Sequence, residues 1–319
     1  MSPHVSVLGA GPFGVTVAWM IARDGRAVRL WSSSEKKREA LRRGDKATGA
    51  PVDLPPSVQV VDTLAEAMEA GLVFVCVPPR WFRALMKQAA PLVRPEHRII
   101  HTVKGLEPGT GKALSSVVSE ETAALQTGVL AGPVVPHEIW RGDAISAVVG
   151  SRFRAVAVEA AAVLINPSLR VYGSLDLTGV EVAGAMRTPL GLAAGMLHAM
   201  GLGRATMAFL QTRLLAEAAR LSERLGGNAQ TVSGLAGIGD WMVTADDHEA
   251  PVVQAGKRLG SAQGCAFDEA EGRVKTLIEL SDRLGVELPI TNAVGAVLDG
   301  TPVQKALAGL MSRKMSFEG

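Results

Sequence analysis

The sequence contains little cysteine and no excess of either charge. Two cysteines in 319 residues, Cys76 and Cys265, are too few for a disulfide framework and lack the spacing of a metal site. The 33 basic and 31 acidic side chains leave a formal net charge of only +2, and there is no long basic run. We therefore expect no metal centre and no nucleic-acid partner.

Long apolar runs and targeting signals are also missing. No apolar stretch reaches about 18 residues without a charge or a glycine, which argues against a membrane span. The N-terminal stretch MSPHVSVLGAG enters a strand-like run at once, without the basic and apolar regions of a signal peptide. Together with the scarcity of cysteine, these absences predict a protein of the reducing cytoplasm.

The first half of the sequence alternates short β-rich runs with helical segments. Most of the runs are bounded by glycine, proline or charge, as buried strands are. Strand–helix–strand alternation predicts an α/β fold with a doubly wound parallel sheet. The predicted strands are residues 4–9, 27–31, 58–62, 72–78, 98–103, 128–133, 145–150 and 169–173, and predicted helices include residues 14–24, 34–43, 64–70 and 81–90.

The second half has a helical pattern throughout. Apolar residues from Met207 to Leu225 recur at steps of three and four, which gives one apolar stripe along a helix. Another helix is predicted to end at Gly285, and Thr301-Pro302 supplies the start of the last one. We therefore predict two domains, an α/β domain over residues 1–175 and an all-helical domain over residues 176–319, with the boundary near residue 175.

A glycine-rich loop follows the first predicted strand and opens a helix, which is the context that the G-x-G-x-x-G dinucleotide fingerprint requires. Its first glycine permits the tight turn, the second lets the backbone approach a pyrophosphate, and the third lets helix and strand pack closely. Amides at the helix start then face the phosphates. The predicted cofactor-binding residues of this loop are Gly9, Ala10, Gly11, Pro12, Phe13 and Gly14.

The end of the second strand decides between the two nicotinamide cofactors. An acidic residue there would hold the free ribose hydroxyls of NAD, whereas hydroxyls and cations suit the 2′-phosphate of NADP. The strand ends in Trp31 and is followed by Ser32, Ser33 and, shortly after, Lys36. These residues favour NADP, although Glu35 could still serve NAD.

Six further motifs follow the glycine loop in a fixed order along the chain. They are Val77-Pro78-Pro79, the T-V-K-G-L-E run at 102–107, Gly132-Pro133, G-V-E-V-A-G-A at 179–185, G-L-A-G-I-G-D at 234–240 and G-V-E-L-P-I-T at 285–291. In this combination the sequence resembles the bacterial NAD(P)-dependent glycerol-3-phosphate dehydrogenases over essentially its whole length. The K-G-L-E and G-L-A-G-x-G-D motifs are specific to that family.

The resemblance implies a Rossmann domain, a helical domain, and hydride transfer between a nicotinamide and dihydroxyacetone phosphate in the cleft between them. It also implies a small anionic substrate and a homodimer. By position in the motifs, Lys104 matches a cleft lysine that contacts substrate, and Asp240 and Thr244 match the G-D-x-x-x-T segment. Val77, Pro78, Lys104 and Glu269 are expected near the cofactor, Glu269 from the family's V-E-G segment.

The sequence departs from the family at substrate-binding positions. Where the family has G-A-x-K-N, with the lysine as proton donor, this chain has Arg187 and Thr188. Where the family has S-R-N, with an arginine that grips the substrate phosphate and the cofactor, equal spacing from the G-D motif leads to residues 250–252, Ala-Pro-Val. We therefore expect a family scaffold with an altered substrate site.

An arginine at position 187 changes the expected chemistry. A guanidinium has a pKa above about 12 and does not release a proton in proteins, so Arg187 is predicted to bind an anion or oxyanion. Candidate proton donors are Lys104, which we favour, and His137, His198 and Glu269. Two alternatives remain: a related enzyme with another small carbonyl or imine substrate, and a cofactor-binding pseudoenzyme that lacks the catalytic lysine.

Overall fold

The structure is a computed structural model that describes residues 5–45 and 53–312. Within these residues the N-terminal half alternates strands and helices, as the sequence pattern predicts. The strands are β1 Val5–Leu8, β2 Val28–Trp31, β3 Val58–Val60, β4 Leu72–Val75, β5 Arg98–His101, β6 Gln126–Ala131, β7 Ile145–Gly150 and β8 Leu169–Ser174.

All eight strands form one sheet in the order β3-β2-β1-β4-β5-β6-β7-β8. The six strands from β3 to β6 are mutually parallel, and the order reverses between β1 and β4. The sheet is mostly parallel, as predicted, and departs from this at one edge, because β7 pairs with β6 in the antiparallel sense and β8 follows β7. A doubly wound sheet binds ligands at the carboxyl ends of its strands, beside the point of reversal.

Within the described ranges, seven α-helices connect the strands. They are α1 Pro12–Ala22, α2 Glu35–Arg42, α3 Leu64–Ala67, α4 Pro79–Ala89, α5 Leu114–Glu121, α6 Pro136–Arg141 and α7 Arg154–Leu164. Helices α1 and α4 begin two residues before the predicted starts, because a proline at the first helical position is favoured there and extends each helix toward its strand. Both helices therefore begin immediately beside the carboxyl edge of the sheet.

From residue 177 onward the described residues form helices. These are α8 Leu177–Ala185, α9 Arg187–Ala199, α10 Arg204–Arg224, α11 Ala229–Val232, α12 Asp240–Asp246, α13 Pro251–Gly260, α14 Asp268–Leu284, α15 Pro289–Leu298 and α16 Val303–Met311, with a π-helical turn at Leu235–Gly239. The predicted apolar stripe lies on α10, where Leu210, Leu214, Ala218 and Leu221 are buried. These four residues belong to the same hydrophobic core as the buried residues of α8 and α9.

The fold class is confirmed as a Rossmann-type sheet followed by a helical part. The predicted boundary at residue 175 stays a prediction. Among the described residues, no helix combines the length and the apolar character needed to cross a bilayer.

Candidate active site

The glycine loop after β1 makes a tight turn that only glycine fits. Gly9 has φ +112°, a conformation that L side chains rarely adopt, and a Cβ there would lie 2.5 Å from the Cys76 carbonyl oxygen. A Cβ on Gly14 would lie 1.9 Å from the carbonyl oxygen of Gly9, so α1 packs directly on the loop. A Cβ on Gly11 would meet nothing within 4 Å. The backbone at Gly11 therefore faces open space.

The loop fits the diphosphate of a dinucleotide. Gly11 is the N-cap of α1 and makes no side-chain capping hydrogen bond, so no side chain of its own satisfies the first amides of that helix. Free amides at a helix start, together with the helix dipole, bind phosphate. Val77 is also close, since its Cγ1 lies 3.1 Å from the Cβ position of Gly9. Pro78, the N-cap of α4, follows it on the surface.

Residues at the end of β2 are connected to this loop through the backbone, because the Gly9 amide donates to the Trp31 carbonyl at 2.8 Å. Ser32 is buried, and its hydroxyl accepts from the Ser34 amide at 3.3 Å. Ser33 and Lys36 are exposed. Arg38 was not among the predicted site residues, yet it donates to the Ser32 carbonyl at 2.6 Å and so lies at the same strand end.

Lys104 lies just beyond the carboxyl end of β5 and is held at two points. Its ammonium donates to the Asp240 carboxylate oxygen Oδ1 at 2.6 Å and to the Gly132 carbonyl at 2.9 Å. Gly132 follows β6, and Asp240 is the first residue of α12. An ammonium has three N–H donors, so this geometry leaves one for a substrate oxygen.

Arg187 reaches the same carboxylate from the start of α9. Its Nε donates to the Thr244 hydroxyl at 2.8 Å and lies 3.5 Å from Asp240 Oδ2. Thr244 is one turn after Asp240 and donates to the Asp240 carbonyl at 2.7 Å. The four predicted catalytic residues are thus in one cluster, in which Asp240 is 4% exposed and Arg187 31%. The remaining guanidinium donors of Arg187 are available to an anion.

The environment of Lys104 favours loss of its proton. Burial lowers the pKa of Lys104, and the nearby positive charge of Arg187 lowers it further, while the carboxylate of Asp240 acts in the opposite direction. An amine whose pKa is lowered toward ambient pH is a better general acid than an unperturbed lysine. Arg187 therefore affects the proton chemistry of Lys104 without releasing a proton itself.

Two contacts from the helical part keep this cluster in place. The Trp241 indole, fully buried, donates to the Ala183 carbonyl at 3.1 Å and so fixes α12 against α8. A Cβ on Gly184 would lie 3.4 Å from the Lys104 Cα, so α8 packs closely on the lysine backbone. The short turn at Met186 between α8 and α9 then directs Arg187 toward Asp240.

Glu269, predicted near the cofactor, is connected to Lys104 by Arg273, which is not among the predicted site residues. Arg273 makes an ion pair with Glu269 and donates to the Lys104 carbonyl at 3.2 Å. Arg80, at the start of α4, approaches the other oxygen of Glu269 at 3.1 Å. The i, i+4 spacing of Glu269 and Arg273 on a predicted helix indicates a pair. The bond from Arg273 to the Lys104 carbonyl depends instead on tertiary packing, which no local sequence pattern shows.

In the described residues, neither histidine candidate shares a hydrogen bond with Lys104 or Arg187. His137 is exposed on α6. His198, in the last turn of α9, stacks on the His248 ring at a centroid distance of 4.4 Å, and burial together with His248 and Lys257 lowers its pKa. No group of three or more His, Cys, Asp or Glu residues in the described ranges is arranged to hold a metal ion.

Comparison with known families agrees with this arrangement of loop and cluster. Residues 4–157 match the family model for the N-terminus of NAD-dependent glycerol-3-phosphate dehydrogenase, and residues 176–308 match that for its C-terminus. The chain belongs to the NAD-dependent glycerol-3-phosphate dehydrogenase family. The resemblance seen in the motifs is thereby confirmed.

Individual members of the glycerol-3-phosphate dehydrogenase family match over the full length. The glycerol-3-phosphate dehydrogenase [NAD(P)+] of Sinorhizobium fredii is 35% identical, with 100% of this chain and 98% of that protein covered. That of Corynebacterium glutamicum (strain R) is 34% identical, with coverage of 98% and 99%. The crystal structure of glycerol-3-phosphate dehydrogenase from Coxiella burnetii superposes with a TM-score of 0.90 at 27% identity, covering 98% of this chain and 99% of that one.

Proposed function

We propose that this protein interconverts dihydroxyacetone phosphate and glycerol 3-phosphate with a nicotinamide cofactor. The observation that carries the proposal is the Lys104 ammonium, held by Asp240 and Gly132 at the same sheet edge as the glycine loop, with one N–H left to donate. Family membership supplies the substrate, since the relatives are named for glycerol 3-phosphate. When bound, the nicotinamide supplies or accepts the hydride.

In the direction of reduction, Lys104 donates a proton to the carbonyl oxygen of the substrate as that oxygen gains charge. Asp240 holds the ammonium in place through Oδ1, and solvent reprotonates Lys104, whose side chain is 17% exposed. Arg187 donates to the substrate anion or to the developing oxyanion, and Thr244 fixes the direction of its guanidinium. In the reverse direction, neutral Lys104 takes the hydroxyl proton.

The direct test follows nicotinamide absorbance with purified protein, dihydroxyacetone phosphate, and NADPH or NADH. Turnover at ordinary enzyme rates, about 1 s⁻¹ or faster, is expected. No turnover at high protein concentration with either cofactor would contradict the proposal. A cofactor titration of the same preparation, followed by fluorescence, distinguishes an inactive fold from a cofactor-binding protein without this activity.

A different small carbonyl or imine substrate is a second candidate. It is favoured by the two changes at the site, namely Arg187-Thr188, and the apolar residues 250–252, of which Ala250 and Val252 are buried. A screen of keto and imine compounds would then find one that is reduced far faster than dihydroxyacetone phosphate.

For the cofactor, the protein binds NAD or NADP, and we propose a preference for NADP. Ser32, Ser33, Lys36 and Arg38 at the end of β2 support it, because a 2′-phosphate would accept hydrogen bonds from their hydroxyls and cations. The ratio of kcat/KM for NADPH and NADH measures this preference.

The proposal includes the organisation of the molecule. Residues 1–175 and 176–319 form the cofactor and substrate domains, and two chains form a homodimer in the cytoplasm. The free cysteines Cys76 and Cys265 are compatible with a reducing compartment. Light scattering on the purified protein gives the number of chains.

A further inference from the structure

Arg273 has hydrogen-bond donors that nothing in the described structure uses. One terminal nitrogen donates to the Lys104 carbonyl at 3.2 Å and the other pairs with Glu269. Its Nε is buried and has no hydrogen-bond partner. A guanidinium has five N–H donors, and an unsatisfied buried donor costs free energy unless a ligand accepts from it. The Arg273 side chain as a whole is 17% exposed, so part of it is open to solvent.

Positive charge exceeds negative charge around this residue. Among the described residues, Lys104 and Arg187 surround the carboxylate of Asp240, and Arg273 and Arg80 surround that of Glu269, so four cations face two carboxylates. The two groups meet where Arg273 donates to the Lys104 backbone carbonyl. Burial lowers the pKa of Arg273, Glu269 opposes this, and the charges of Arg187 and Arg80 lower it further. An anion with two negative charges would balance the set.

The position that could otherwise hold such an anion carries no charge. Residues 250–252 lead into α13, and Val252 packs against α9, since its Cγ1 lies 2.5 Å from the Cβ position of Gly191. Ala250 and Val252 are 5% and 4% exposed. This segment therefore contributes packing and no donor side chain, so the phosphate of a substrate needs a cation from another helix.

We propose that Arg273, on α14, binds the phosphate group of dihydroxyacetone phosphate. The proposal rests on the function proposed above and names the residue that recognises the substrate class. Two oxygens of a phosphate can accept from neighbouring N–H groups of one guanidinium, which gives a directed, charge-assisted contact. The bond from Arg273 to the Lys104 carbonyl places the phosphate holder beside the residue that donates the proton.

The phosphate could also come from the cofactor, and the experiment separates the two sources. Arg273→Gln removes the positive charge. Arg273→Lys keeps the charge but lacks the paired N–H donors of a guanidinium. Arg283→Gln is the matched control, because Arg283 lies on the same helix and also donates to a backbone carbonyl of the α/β part, that of Thr110, at 2.9 Å. For each variant, KM and kcat for dihydroxyacetone phosphate and the Kd for NADPH are measured.

Arg273→Gln is expected to raise KM for dihydroxyacetone phosphate by about 10- to 100-fold, with kcat and the Kd for NADPH nearly unchanged. Arg273→Lys should show a smaller rise, and Arg283→Gln none. With dihydroxyacetone, which has no phosphate, kcat/KM should be equal for wild type and Arg273→Gln. A rise in the Kd for NADPH without a rise in KM would assign Arg273 to the cofactor and overturn the proposal.

A fall in kcat with unchanged KM would also overturn it, because that result would mean that Arg273 acts only by supporting Lys104. If the wild type does not reduce dihydroxyacetone phosphate, the proposed function fails. Calorimetric titration with inorganic phosphate then still tests whether Arg273 forms a phosphate-binding site. Binding that Arg273→Gln weakens at least tenfold and Arg283→Gln leaves unchanged supports a phosphate site. Equal binding to all three proteins contradicts it.

Discussion

A guanidinium at position 187 changes which group in the cluster is able to give up a proton. Arginine stays charged at every pH at which proteins are stable, so the proton must come from another donor. Among the residues that the structure describes, Lys104 is the only lysine that contacts Asp240, and its surroundings lower its pKa. A fixed charge next to a titrating amine is thus an alternative to a lysine at position 187.

Lys104→Met should abolish most of the activity while leaving the protein folded and able to bind its cofactor. Loss of a general acid costs about 10²- to 10⁴-fold in kcat. The matched control is Lys112→Met, because Lys112 follows in the same connection but is exposed and paired with Glu120 at 2.6 Å. Its kcat should stay within about twofold of wild type. Equal kcat in the two variants would remove Lys104 from the mechanism.

The pH dependence of kcat tests which protonation state of Lys104 each direction of the reaction needs. Reduction needs protonated Lys104, so kcat should fall as pH rises through the pKa of this residue, which lies below its ordinary value of 10.5. Oxidation needs the neutral amine of Lys104, so kcat for oxidation should rise over the same pH range. The residual activity of Lys104→Met should show neither pH dependence.

At the scale of elements, the position of Arg187 depends on how α9 packs. Helices α9 and α13 touch backbone to backbone: a Cβ on Gly195 would lie 2.1 Å from the Val253 carbonyl oxygen, and one on Gly256 would lie 2.1 Å from that of Leu192. Two helices this close leave no room for a methyl group, so the small residues at the crossing set the distance between α9 and α13. Since α9 begins with Arg187, the packing of α9 on α13 also sets the position of the Arg187 guanidinium.

Gly195→Ala should therefore lower the free energy of unfolding by about 1–3 kcal/mol or more, as overpacking does. Gly309→Ala is the control, because Gly309 is also helical but its Cβ would meet nothing within 4 Å. Alanine there should be neutral or stabilise by up to about 1 kcal/mol. Urea unfolding of both variants measures the difference. Equal stability would mean that α9 and α13 can separate at little cost.

At the scale of the molecule, local patterns predicted the sheet, the helices and the glycine loop, because strand burial and turn geometry depend on neighbours in sequence. The reversed strand β7 was missed, because a run of apolar residues has no direction. Arg273 and Arg80 were missed for a related reason: each is an ordinary helical arginine until packing brings α14 against the Lys104 backbone and α4 against Glu269. The four catalytic candidates came from family motifs, and their contacts with one another came from the structure.

Glu217 shows how one buried carboxyl group makes the stability of the whole molecule depend on pH. It lies on α10, is 1% exposed, and accepts from the amides of Ile290 and Thr291 and from the Thr291 hydroxyl, so it caps the start of α15. Burial raises its pKa from 4.5 to about 7, against these hydrogen bonds and the charge of Arg220, which favour the ionised form.

Between pH 4.5 and about 7 the folded protein keeps the Glu217 proton that the unfolded chain has released, so this group's contribution to stability is lost as pH rises through that window. The shift corresponds to about 3 kcal/mol. Glu217→Gln cannot titrate, so its stability relative to wild type should improve by about 2–3 kcal/mol between pH 5 and pH 8. Glu223→Gln, an exposed position on the same helix, should show no such trend. Urea unfolding at several pH values measures both, and parallel curves for wild type and Glu217→Gln would mean that the carboxyl group titrates equally in the folded and unfolded states.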